Sequence, residues 1–202
     1  MGIYLLMNHL QGEIKMKLKL VTAVALSGIL LTACGNGDSE SDTKSEDSSN
    51  KDTDKQVIAL DKIKTSPEDA IKKAQDEYSG QDLKGISYEK SNGEWAYKIE
   101  QQKNGEESEV IISDKNKEVL NKNTENEDSV NENEAFKYSD AIDYKDAIKK
   151  GQEEFDGDIK EWSLSEDDGK LVYDLDLKDD STKHEITIDA KSGDVLNNEQ
   201  DD

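Results

Sequence analysis

The chain of 202 residues has no arginine, one cysteine, one proline and two histidines, and only 5% of its side chains are aromatic. These shortages set limits. All 26 basic residues are lysines set against 48 carboxylates, and a net charge of −22 repels a phosphate backbone, so nucleic acid is not an expected partner. A lone cysteine, Cys34, cannot close an internal disulfide, which leaves packing as the source of stability. With 32% hydrophobic and 37% charged residues, the composition leaves room for small cores separated by solvated chain rather than for one large domain. The all-lysine, asparagine-rich usage fits an AT-rich, Gram-positive-type bacterial genome.

Long apolar runs are also scarce, and the one that exists lies near the N-terminus. From Met16 the chain reads MKLKLVTAVALSGILLTAC: two lysines, an uncharged apolar run from Leu20 to Ala33, then Cys34. That is the layout of a secretory signal peptide. The run is shorter than the ~20 residues a helix needs to cross a bilayer. Leu31-Thr32-Ala33-Cys34 resembles the bacterial lipobox, which implies cleavage between Ala33 and Cys34 and a lipid on the Cys34 sulfur. An ordinary cleaved signal with an incidental cysteine is the plainer alternative. Residues 1–33 are thus expected to be removed, with translation beginning at Met16. Their loss takes away three lysines and one glutamate, so the remainder is more acidic than the whole.

The mature chain divides by composition. Gly35 to Gln56 holds no aliphatic or aromatic side chain and cannot bury enough apolar surface to offset its ordering entropy, so residues 34–58 are expected to form a disordered acidic tether. Asn121 to Glu134 has the same character and marks a linker over 121–138. On either side lies a repeat. Asp69 to Gly80 matches Asp146 to Gly157 at eight of twelve positions; after a one-residue slip, Leu83 to Leu120 runs without a gap against Ile159 to Leu196, with apolar positions in step.

Each copy reads as a helix followed by strands. Ser66 caps the first helix, Pro67 opens it, and Ala70, Ile71, Ala74 and Tyr78 form one stripe; Asp143 caps the second, with Ala147, Ile148, Gly151 and Phe155 inward. Period-two alternation follows, broken by Asn92-Gly93 and Asp168-Gly169, which signal type I′ hairpins. Asn104-Gly105 and Asp179 to Thr182 mark the next turns. The expected fold class is α+β: two tandem modules, over 59–120 and 139–198, each one helix packed on a three-stranded antiparallel sheet. Modules of about 60 residues are marginal alone, so mutual packing is expected.

A helix with Asp-Ala-Ile near its start, a hairpin whose second strand carries Trp95-Ala96-Tyr97-Lys98-Ile99 or Leu171-Val172-Tyr173-Asp174-Leu175, and the ending Asp189-Ala190-Lys191-Ser192-Gly193-Asp194-Val195-Leu196 together resemble the PepSY domain. The resemblance covers both copies, although the first ending carries Lys117 where the second has Gly193. It implies a non-catalytic module that binds, and often restrains, peptidases at the cell surface.

The residues themselves point away from chemistry. After the N-terminal segment a single histidine remains, His184, with no histidine or cysteine at metal-ligand spacing, and it reads as a solvated strand residue. Asp167-Asp168-Gly169 and Asp179-Asp180 lack the spaced ligands of a calcium loop and read as turns. No serine stands in a nucleophile-elbow context. No catalytic residue, metal or cofactor is therefore expected. Trp162, which stands where the first copy has Ile86, is either core or a binding anchor, with core the better fit for a large aromatic on a small sheet. Lys72-Lys73 and Lys149-Lys150 read as solvated helix faces. The expected function is a membrane-anchored extracellular binding module, tethered through Cys34, whose partner is a secreted or wall-associated peptidase or other protein. The rival is a polyanionic surface lipoprotein that attracts cationic peptides, wall enzymes or ions without one defined partner.

Overall fold

The computed structural model describes residues 56–126 and 134–201. The signal segment, the Ala33/Cys34 cleavage and lipidation position, the tether as far as Lys55, and residues 127–133 lie outside the described residues.

Two helices and eight strands follow one another as the repeat requires. The first half runs α1 (Pro67–Glu77), β1 (Asp82–Ser91), β2 (Glu94–Lys103), β3 (Glu106–Ser113) and β4 (Val119–Asn126); the second runs α2 (Tyr144–Glu154), β5 (Asp158–Asp167), β6 (Lys170–Lys178), β7 (Lys183–Asp189) and β8 (Val195–Asp201). Ser66 accepts the Asp69 backbone N–H at 3.3 Å and Asp143 accepts that of Lys145 at 2.8 Å, so both helices start at their expected caps. Asn92 and Gly93 take φ of 52° and 85°, and Asp168 and Gly169 take 49° and 82°, the paired left-handed conformations of a type I′ turn.

The expected three strands per module become four. Val119–Asn126 and Val195–Asp201 pair antiparallel with β3 and β7 and form the two edges. The linker expected over 121–138 is correspondingly shorter. Residues 121–126 are the body of β4, Phe136 makes a β-bridge to Leu83, and Tyr138–Asp140 is a 3-10 turn. These strands escape a reading by hydrophobic alternation because an edge strand needs only one neighbour's backbone hydrogen bonds, and the residues of β4 from Leu120 onward are exposed on both faces.

The two modules share one sheet, ordered β4-β3-β2-β1-β5-β6-β7-β8. Its centre is the antiparallel pairing of β1 with β5, in which Ile86 faces Leu164, Ser87 faces Ser163 and Tyr88 faces Trp162. Ser87 and Ser163 are equivalent positions of the repeat, so the junction has local twofold symmetry about that pair. The segments leading into each half are exchanged across it. Ile58, ahead of the first helix, exchanges both backbone hydrogen bonds with Ile159 of β5 at 2.8 and 2.9 Å, while Phe136, ahead of the second, donates its N–H to the Leu83 carbonyl of β1 at 2.9 Å.

Both helices lie on one face. Ala70, Ile71 and Ala74 cover β2 and β3, and Ala147, Ile148 and Gly151 cover β6 and β7. A repeated tyrosine fastens each lead-in: the Tyr97 hydroxyl donates to the Thr65 carbonyl at 2.7 Å, and the Tyr173 hydroxyl to the Ile142 carbonyl at 2.8 Å. Between the helices an aromatic cluster fills the junction. Trp162 is 1% exposed, with ring centroids 6.2 Å from Tyr88, 5.9 Å from Tyr97, 5.5 Å from Tyr144 and 6.1 Å from Tyr173. Burial, the largest cause in each case, pushes the Tyr88, Tyr97 and Tyr173 hydroxyls well above the usual phenol range, and Tyr144 up to about 12.

Two local replacements show how the copies diverge within one backbone. Lys117 adopts φ 61° where Gly193 adopts 78°, and each closes the same turn, donating its N–H to Ser113 or Asp189 at 3.0 and 2.8 Å. The looser ending of the first copy is therefore looser in sequence alone. Gly151 replaces Ala74; a Cβ there would stand 2.5 Å from Leu175 Cδ1, so the glycine lets α2 settle close onto the β6 leucines.

Candidate interaction surfaces

The sequence-derived candidates separate cleanly. Trp162 lies in the core and presents no surface to a partner, so as placed it cannot be a binding anchor; the core reading accounts for its position. His184 is half-buried at the sheet corner, stacked on Phe155 at 4.1 Å, with Nδ1 2.7 Å from Asn198 Oδ1. Its strand, β7, is the third of the second half and second from the sheet edge. The Asp179 carboxylate accepts the N–H groups of Ser181 and Thr182 at 2.8 and 2.7 Å, and Asp189 those of Lys191 and Ser192 at 2.9 Å, which lowers both carboxyls below the usual range and marks them as turn braces. Lys149 and Lys150 make exposed ion pairs with Asp146 and Glu153 within α2. Among the described residues no cluster of His, Cys, Asp or Glu could hold a metal ion, and no helix is long and apolar enough to cross a membrane.

Three surfaces remain, none of which the strand-by-strand reading could locate. The first is the sheet face opposite the helices. Cross-strand register aligns Glu161 with Asp176, Asp176 with Glu185 and Glu185 with Glu199, and the charge of Glu89, next after the Tyr88–Trp162 pair of the β1–β5 junction, acts on Glu161. Neighbouring strands stand about 4.8 Å apart, so the row concentrates negative charge. Lys160 and Lys183 interrupt it, approaching Asp176 at 3.3 and 3.1 Å, and the charge of Lys98 also acts on Glu161 and Glu89. Partial burial, then the charges of Glu89 and Asp176, push the Glu161 carboxyl from 4.5 up to about 6. In the other half Glu100 pairs with Glu109, bridged by Lys98 at 3.0 and 3.8 Å, and burial raises Glu109 as well.

Because the folded state holds Glu161 above its unfolded pKa, folding favours the protonated form, and stability is lost as pH rises from about 4.5 through about 6. Glu161→Gln is expected to stabilise the protein by about 1 kcal/mol above pH 7, a figure reduced from the full shift because the group is partly solvated. Below pH 4.5 it is expected to gain nothing. Urea titrations at the two pH values measure the difference, and an equal effect at both would refute the electrostatic cause.

The second surface is the pair of edges. Leu120 and Leu196, equivalent in the repeat, are 44% and 47% exposed, and each stands at a register break where its edge strand begins. The third is a groove between α1 and the segment leading into α2, lined by Glu68, Ile71, Tyr138, Ile142 and Asp143 among others.

Residues 64–123 and 141–199 each match the family model described as "Peptidase propeptide and YPEB domain", PepSY. The chain belongs to the PepSY family. Each match starts in a helix lead-in and runs into an edge strand, so the PepSY unit in this chain is the helix with four strands. A crystal structure of a candidate lipoprotein from Clostridium difficile 630 is similar in both sequence and shape. Identity is 27%, the likeness covers 73% of this chain and all of the other, and the TM-score is 0.67. No curated protein sequence matches the chain.

Proposed function

We propose that this protein is a membrane-anchored extracellular binding module, held through a lipid on Cys34, whose paired PepSY units bind and restrain a secreted or wall-associated peptidase in trans. The observation that carries the reading is the double family match, since that family is described as "Peptidase propeptide and YPEB domain" and the match takes in the helix and four strands of each copy. Similarity to a candidate lipoprotein and the Leu31-Thr32-Ala33-Cys34 ending support the anchor. Two acyl chains hold a protein on a membrane far more firmly than one, and the acidic segment behind Cys34 would let the folded part stand away from the surface.

The test is to add the purified chain to secreted peptidases of the producing cell and follow substrate cleavage. Stoichiometric slowing that survives high ionic strength supports restraint by a defined surface. Slowing abolished by salt would favour a diffuse polyanion, because exposed charges are screened beyond about 8 Å at physiological ionic strength. Unchanged cleavage at all ratios would rule out restraint. Anchoring has its own measurement: Cys34→Ser is expected to move nearly all of the protein from the membrane fraction to the culture medium, and retention on the membrane would disprove lipid attachment at that position.

A further inference from the structure

The groove between α1 and the segment leading into α2 has a volume of about 470 Å³, and neither repeat builds it alone. Glu68, Ile71 and Lys72 of α1 form one wall; Tyr138, Ile142 and Asp143, ahead of α2, form the other. A groove of this volume accepts a side chain with its flanking backbone. Its lining combines an apolar surface, from Ile71, Ile142 and the Tyr138 ring, with carboxylates from both halves of the molecule.

Both carboxylates act on the same place. Burial first, and after it the charges of Tyr173, Glu68 and Asp143, hold the Tyr138 hydroxyl far above its ordinary range. That hydroxyl is buried beside the Tyr173 hydroxyl, which itself donates to the Ile142 carbonyl at 2.8 Å. Asp143 uses one oxygen to cap α2, and a carboxylate has a second. Lys72 opposes a cation here, but its charge also acts on Asp69. The repeat does not reproduce the acidic pair: the positions equivalent to Glu68 and Asp143 are Lys145 and Ser66. One of two symmetry-related places has therefore become acidic.

We propose that this groove receives one lysine or arginine side chain of an extended segment of a partner protein. The aliphatic stem lies on Ile71 and Ile142, the cationic head sits between Glu68 and Asp143, and the Tyr138 ring lends a cation–π contact. The inference rests on the proposed function only in taking a polypeptide as the ligand.

A capped heptapeptide with one lysine between two leucines, titrated into the whole chain and followed by NMR, tests it. Saturable shifts centred on Ile71 and Ile142 are expected, together with at least tenfold weaker binding of the same peptide with norleucine in place of lysine. In the protein, combining Glu68→Gln with Asp143→Asn, which retains a capping side chain, is expected to weaken the lysine peptide about tenfold while leaving the melting temperature near that of the parent. Equal affinity for the two peptides would overturn the proposal without reliance on any variant. So would undiminished binding by the double variant, shifts centred on the Glu161–Asp176 row, or the absence of saturation. Peptidase slowing is read separately: if it is absent while the lysine peptide still binds the groove, the function proposed above fails and the groove assignment stands.

Discussion

Trp162→Ala is expected to lower the unfolding free energy by about 3–5 kcal/mol, the range for deleting a large buried aromatic. That is a large share of the 5–15 kcal/mol typical of folded domains. The effect should reach both halves, because Trp162 packs on Tyr88 and Tyr97 of the first unit as well as Tyr144 and Tyr173 of the second. Urea denaturation followed by circular dichroism should show one transition displaced as a whole, and a loss below about 1 kcal/mol would mean that the junction collapses around the gap. Trp162→Phe should be milder. The Trp162 Nε1–H is buried without a hydrogen-bond partner, so phenylalanine relieves a desolvation penalty of about 1–3 kcal/mol while giving up part of the packing.

Separating the modules is expected to have a still larger consequence. A chain of residues 56–126 and one of residues 134–202 should each remain largely unfolded, and mixing them should restore structure. Each half lends its lead-in to the other's central strand, through Ile58 on Ile159 and Phe136 on Leu83. Alone, the first half would expose Tyr88 and the second Trp162, and β1 and β5 would become bare edges. A unit of about 70 residues has little stability to spare. Circular dichroism of the separate and mixed halves measures this, and a cooperative transition in either half alone would show that the units are autonomous.

Much of the local structure was legible because it depends on neighbours in sequence. Asn92-Gly93 and Asp168-Gly169 prefer φ above zero and so turn where they stand; Ser66 and Asp143 cap because their side chains reach the next N–H groups. The duplication was legible for the same reason, since Tyr97 and Tyr173 keep step along the chain. The edge strands were missed. Polar runs such as Asn121-Lys122-Asn123 carry no alternation to reveal a strand, and only the presence of β3 recruits them. The carboxylate row was equally hidden. Glu161, Asp176, Glu185 and Glu199 occupy four separate strands, and lateral order alone makes them neighbours.

By itself the sequence determined a strongly acidic chain with a single cysteine, and one helix-and-hairpin plan written twice. Those features rest on composition, turn preference and short-range periodicity, which act within a few residues. The tertiary structure alone decided that the two copies fuse through β1 and β5 into one eight-stranded sheet, that Trp162 closes their junction, and that Glu68 and Asp143 flank a common groove. Each of these joins residues some 75 positions apart, and what brings them together is the burial of apolar surface and the pairing of exposed strand backbones, forces that respond to position in space and leave no local pattern in the chain.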